Sequence, residues 1–177
     1  MASTAQVPAP TPGPSPAEAL AAALAELQSA SEFDSTVTVD GVVATALHGR
    51  TVGSASLLTV TSSGRTVEYL RVPPDAWARE AGSTWLIVDS AQAPTSPLAA
   101  LASPLTVERA TGGVGLEATY PAAVLGLEGE PVKVLVSIEG SVVTFRYEQA
   151  SSGRAVVSTT ILRPATDTTP IATPPAT

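Results

Sequence analysis

From Phe33 to Arg163 the chain repeats one pattern: short runs in which apolar and polar residues alternate, parted by turn residues. A period of two belongs to a β-strand with one buried face. The runs cover Phe33–Val39, Val42–His48, Ser54–Thr61, Arg65–Val72, Trp85–Val88, Thr106–Arg109, Gly115–Tyr120, Val132–Glu139, Ser141–Glu148 and Arg154–Arg163. Asp40-Gly41, His48-Gly49, Ser63-Gly64, Glu139-Gly140 and Ser152-Gly153 mark turns between them. Connections this short join antiparallel neighbours, because parallel strands need crossovers of about a dozen residues. The final runs are the clearest. Val132, Val134, Val136 and Ile138 share one face, and so do Val143, Phe145 and Tyr147, while Val157 and Ile161 are expected to continue the apolar side.

Ahead of the strands, residues Pro16 to Ser29 read as a helix. Ser15 is placed to cap it, Pro16 suits the first helical position, and Glu18 completes a capping box. Leu20, Leu24 and Leu27 recur at helical spacing and form one apolar stripe. That stripe must be buried, and the sheet is the surface available. A second helical segment, Pro97–Pro104, follows a stretch in which Arg65–Val72 meets a two-proline break and both tryptophans, Trp77 and Trp85, appear. The expected fold class is α+β: a curved antiparallel sheet of about ten strands, a half-barrel, wrapped around the N-terminal helix and one or two short helices.

Proline-rich segments flank this region. Residues 1–16 are expected to be a disordered tether, 17–164 one half-barrel domain, and 165–177 a Pro/Thr-rich C-terminal tail. Hydrophobic residues make up 44% of the chain but aromatics only 4%, so any core is built mainly from Ala, Val and Leu. The formal net charge is −7, with one lysine (Lys133) and arginines spread singly, which disfavours nucleic-acid binding and a polybasic membrane anchor. Scarce lysine and missing asparagine suggest a GC-rich genome, as in actinobacteria. No run approaches the roughly 20 apolar residues of a membrane-spanning helix.

Reaction chemistry finds little footing. His48 is the single histidine, there is no cysteine, and no G-x-S-x-G elbow or EF-hand loop occurs. Gly112-Gly-Val-Gly115 lacks the lysine of a phosphate-binding loop and reads as a turn between strands, and His48 reads as an exposed turn residue. The expectation is a protein that is not an enzyme and uses neither metal nor cofactor.

The order of parts resembles the actinobacterial LppX/LprG-type lipoproteins of the LolA-like superfamily. The likeness rests on the opening amphipathic helix, the alternating hairpins, the segment from Val72-Pro to Trp85 and the Pro97–Pro104 turn. Glu130-Pro-Val-Lys-Val-Leu-Val-Ser-Ile-Glu-Gly-Ser-Val-Val-Thr-Phe145 and Pro170-Ile-Ala-Thr-Pro-Pro175 add to it. The resemblance implies an apolar cavity between sheet and helices, an acylated lipid or glycolipid as partner, and export to the outer face of the cell membrane on an N-terminal lipid anchor. The family's lipidated cysteine is missing from this sequence, as expected of a chain that starts downstream of it. Candidate wall residues for a lipid cavity are Phe33, Val37, Val39, Leu58, Val60, Tyr69, Trp85, Ile87, Val134, Val136, Ile138, Val143, Phe145 and Ile161, with Leu20, Leu24, Leu27, Leu98 and Leu101 from the helices. Trp77, among charged neighbours, is the candidate portal residue. Each of them would serve equally as ordinary core. The alternative reading is therefore a surface-exposed interaction module with a closed core that engages an envelope partner of host or phage.

Overall fold

Ser15 is the cap of the first helix. In the computed structural model, which describes residues 13–151 and 153–175, its hydroxyl accepts from the Glu18 N–H while the Glu18 carboxylate accepts from the Ser15 N–H. The helix they start, α1 (Pro16–Ala25), is shorter than its apolar stripe. Leu27 lies in the turn that follows, yet it is as fully buried as Leu20 and Leu24. The proposed tether, residues 1–16, lies outside the described residues up to residue 12.

Eleven strands then form one sheet. They are β1 (Ala30–Val39), β2 (Val42–Val52), β3 (Ala55–Ser62), β4 (Arg65–Val72), β5 (Asp75–Glu80), β6 (Leu86–Val88), β7 (Thr106–Arg109), β8 (Leu116–Tyr120), β9 (Val132–Glu139), β10 (Val142–Ser151) and β11 (Arg154–Pro164). Their order is β6-β5-β4-β3-β2-β1-β11-β10-β9-β8-β7, with every pairing antiparallel. The sheet is not closed into a barrel, with β6 and β7 at its two edges. Strand β5, hidden in sequence behind the cis Pro73-Pro74 step, is the one the alternating runs leave out.

Two meanders make this sheet. One runs outward from β1 to β6, the other inward from β7 to β11, and the pairing of β1 with β11 joins them. Between them the chain must travel from one sheet edge to the other in about 17 residues, part of which is the short helix α2 (Pro97–Leu101). Eleven strands spaced about 4.8 Å apart would put the edges of a flat sheet about 48 Å from each other. A link of that length containing a helical turn reaches about 51 Å only when every other residue is fully extended. Because it also folds through a turn at Asp89–Gln92, it crosses most easily over a sheet that curls toward it. Packing of α1 against β7, five strands away from the β1 that α1 leads into, agrees with this.

One face of the sheet, the helix face, holds the core. Phe33, Leu58, Val134, Val136, Val143, Phe145 and Leu162 lie there with Leu20, Leu24, Leu27, Leu101 and Tyr120. The outer face is polar, as the alternation requires, and is laced with ion pairs such as Arg79–Glu68, Lys133–Glu117 and Arg163–Asp34. The Asp40-Gly41 and Ser63-Gly64 turns have positive φ at both residues, the form that matches the twist of paired strands. His48-Gly49 is not a turn. It sits within β2, and the actual turn falls at Gly53. Gly49 is required there because the Phe33 ring lies on it: a Cβ would come within 2.9 Å of that ring and of the Leu57 carbonyl oxygen.

Candidate functional site

The crossover that closes the topology also roofs a cavity. On the helix face, a space of about 350 Å³ lies between the centre of the sheet and the segment carrying α2 and the 3₁₀ turn Ala122–Leu125. Val37, Leu47, Val134, Phe145 and Tyr147 form the sheet side, and Pro97, Ala100, Leu101, Val124 and Leu125 the roof. Its floor carries a polar strip. Ser35 and Thr160, cross-strand neighbours, share a hydrogen bond of 2.8 Å beside Ser158, so these buried hydroxyls cost less than unpaired ones would. A second space of about 290 Å³, lined by Gln28, Thr51, Leu98, Ala99 and Ala102, lies near the same roof and shares Ser96 with the first. The α2 segment thus stands between two cavities.

Tyr120 positions that roof. Its ring is fully buried and meets Phe145 edge to face, with centroids 6.4 Å apart, and its hydroxyl donates to the Leu101 carbonyl oxygen at 2.7 Å. That carbonyl ends α2 and has no helical partner of its own. Burial pushes the phenol up to about 12. An unfolded chain releases this proton near pH 10 and the folded one does not, so above pH 10 the unfolded state binds fewer protons and stability falls as pH rises. Replacing Tyr120 by Phe leaves the carbonyl unsatisfied and is expected to cost about 1–3 kcal/mol in urea unfolding at neutral pH. The variant should also show a shallower stability loss between pH 10 and 12. Unchanged stability at neutral pH would show that the hydroxyl does not hold α2.

The residues expected to form the cavity wall divide into four groups. Val37, Leu101, Val134 and Phe145 line the first cavity and Leu98 the second. Leu20, Leu24, Leu27, Phe33, Leu58, Val136 and Val143 are packed solid core, with Tyr69 and Ile138 partly buried against them. Val39 and Val60 lie half-buried on the helix face without lining either space. Ile161, Trp85, Ile87 and Trp77 are on the outer face, which corrects their assignment to the wall and portal. Ile161 pairs with Asp34, whereas its neighbour Leu162 pairs with Phe33 and is the buried residue. Trp77 lies opposite Ile87, with Ile87 80% exposed.

Sequence reasoning missed Leu47, Tyr120, Tyr147 and the hydroxyls of the floor. Leu47 lies in the run Val42–His48, and its parity with Gly49, opposite to that of His48, is the available signal. Ser35, Ser158 and Thr160 gave none, since polar residues in a strand read as facing water.

On the outer face His48 is exposed and sits 2.7 Å from Asp34, whose other carboxylate oxygen accepts from Arg163 at 2.7 Å. Partial burial works against ionisation of Asp34, but the hydrogen bonds from His48 and Arg163 outweigh it and hold the carboxyl below its usual range. A space of about 210 Å³ beside His48 is lined by Glu32, Arg50, Leu57 and Thr59 but not by Asp34, and among the described residues no group of three or more His, Asp or Glu side chains is arranged to hold a metal ion. None of the described helices is long and apolar enough to cross a membrane. No family model matches the chain, and no curated protein sequence matches it.

Proposed function

We propose that the protein is a non-enzymatic binder of an acylated lipid or glycolipid, of the LppX/LprG type and LolA-like fold, exported and held at the outer face of the cell membrane by an N-terminal lipid anchor. The observation that carries this reading is the space of about 350 Å³ between sheet and crossover, walled by Val37, Leu47, Leu101, Val134 and Phe145. It falls at the lower end of the range for small-molecule sites, about 300–1,000 Å³, and suits one acyl tail rather than several. Each methylene moved from water into such a space contributes about 0.8 kcal/mol, so eight of them supply about 6 kcal/mol before entropic costs. The hydroxyl strip of Ser35, Ser158 and Thr160 offers partners to an ester or hydroxyl group at the head of the chain.

Native mass spectrometry with lipid extraction, followed by titration with a fluorescent fatty acid, tests the reading. Co-purified lipid or saturable uptake is the expected result. In the Ala100→Trp variant, which fills the cavity from the roof, affinity should drop by about tenfold or more, equivalent to 1.4 kcal/mol, with circular dichroism unchanged. A protein free of lipid that takes up no probe refutes the proposal, and equal uptake by Ala100→Trp moves the site elsewhere. A second reading, an interaction module, is favoured by the exposed Leu86 (66%) and Ile87 (80%) on edge strand β6.

A further inference from the structure

The C-terminal segment after β11 follows a single cross-strand row of the outer face. That row reads Arg163, Glu32, Arg50, Leu57, Leu70, Trp77, Ile87 in register from β11 to β6. Thr166 donates to Glu32 through its N–H at 2.9 Å and its hydroxyl at 2.6 Å. Arg50 donates to the Asp167 carbonyl oxygen at 2.8 Å and pairs with its carboxylate at 2.6 Å. At the far end of the row, Thr173, Pro174 and Pro175 stand against Trp77, Arg79, Trp85 and Ile87. Between these two places the row holds Leu57 and Leu70, and a segment running from one to the other accounts for Leu70 being only 5% exposed on a face that otherwise meets water. Residues 166–175 thus form a strap on the outer face.

Beside the last described residues the strap leaves space. Between Thr173–Pro175 and the two tryptophans an open groove of about 620 Å³ remains, with Ile87 largely exposed along it. Its floor is preorganised: the Arg79 guanidinium lies 4.3 Å from the Trp85 ring centre and is itself held by Glu68, so Trp85 cannot swing away freely. A groove lined by two indoles is a surface on which extended proline-rich segments dock, because proline pre-sets the backbone and flat rings cover its pyrrolidine faces. We propose that the groove between Trp77 and Trp85 is a receptor site for an extended, proline-containing peptide of a partner protein. The chain's own Thr173-Pro174-Pro175 covers one side of it in cis and limits access. This site is on the opposite face of the sheet from the lipid cavity and stands or falls separately from it.

The test uses the full chain and a synthetic peptide with the sequence of residues 167–175, Asp-Thr-Thr-Pro-Ile-Ala-Thr-Pro-Pro, with tryptophan fluorescence and calorimetry as readouts. Expected results are a saturable blue shift, weaker binding by about tenfold of a control peptide with its prolines replaced by alanine, and tighter binding to Arg50→Ala, in which the strap is loosened. Trp77→Ala should reduce affinity by about 30-fold, the scale of an interface hot spot. Ile87→Glu should reduce it as well, and its exposure makes that variant safe for folding. Lack of a saturable signal with both wild type and Arg50→Ala overturns the proposal. So does equal binding of the alanine peptide, or binding indifferent to Trp77→Ala and Ile87→Glu together.

Discussion

Truncating Phe33 to alanine is expected to lower stability by about 3–5 kcal/mol, the range for deleting a fully buried aromatic ring. Phe33 is 0% exposed at the middle of β1, the strand that joins the two meanders, and lies between Leu162 of β11 and Gly49 of β2. Removing it opens a void in the core of the helix face, and it uncovers the Gly49 backbone on which the ring rests. Urea unfolding at neutral pH measures the loss. A change below about 1 kcal/mol, the scale of an ordinary surface or conservative substitution, would mean that the ring does not bridge the two meanders. The pair also predicts coupling. Gly49→Ala places a methyl 2.9 Å from the ring edge and from the Leu57 carbonyl oxygen, an overpacking worth about 1–3 kcal/mol. Combined with Phe33→Ala, that cost should shrink, because one of its two collisions is gone, and the double mutant should be less destabilised than the sum.

A second large effect is expected at Gly115, at the entry to β8. Its φ is +82°, and a Cβ would lie 2.7 Å from the Val136 carbonyl oxygen in the neighbouring strand. Gly115→Ala therefore carries the left-handed penalty of about 1–2 kcal/mol and an overpacking cost of about 1–3 kcal/mol against backbone that cannot rotate aside. Gly113→Ala is the control. It shares the positive φ, +81°, but faces open space, so it should show the first cost alone. Equal losses in the two variants, measured by thermal unfolding, would show that β8 yields without strain at its contact with β9.

How far the sequence could be read depended on what each residue's role required. Alternation over Val132–Ile138 and Val143–Tyr147 is clear, since every apolar residue but Leu135 has the same parity, and the structure places those residues on one face and leaves Leu135 exposed on the other. In Arg154–Arg163 the apolar residues come in adjacent pairs, Val156-Val157 and Ile161-Leu162, so each face has a claim. Only the pairing of Leu162 with Phe33 decides that Leu162 goes in and Ile161 out. Leu86-Ile87-Val88 fails for the same reason, made worse by its place on an edge where one side has no neighbour to bury against. The capping box of α1 and its buried Leu20 and Leu24 are local and legible, because they depend on residues three and four apart, whereas the end of the helix before Leu27 is not.

The candidate site was less legible than the sheet. Four expected wall residues, Val37, Leu101, Val134 and Phe145, do line the larger cavity, but packed core and cavity wall use the same side chains. What separates them is whether the crossover stands off from the sheet or rests on it, and that is a matter of long-range geometry. The strap illustrates the same limit. Pro170 to Pro175 has the composition of a loose end, and its hold on the outer face depends on Glu32 and Arg50, residues more than 100 positions away that no local pattern connects to it.

Short-range chemistry in the chain alone settled that antiparallel hairpins and a leading amphipathic helix would form, since turns, caps and alternation act between near neighbours. Folding in three dimensions decided the rest: which meander edges are bridged, which parity faces inward, where empty volume survives and where the C-terminal segment comes to lie. Those outcomes follow from contacts between distant parts of the chain, and a run of residues carries no record of the surface it will meet.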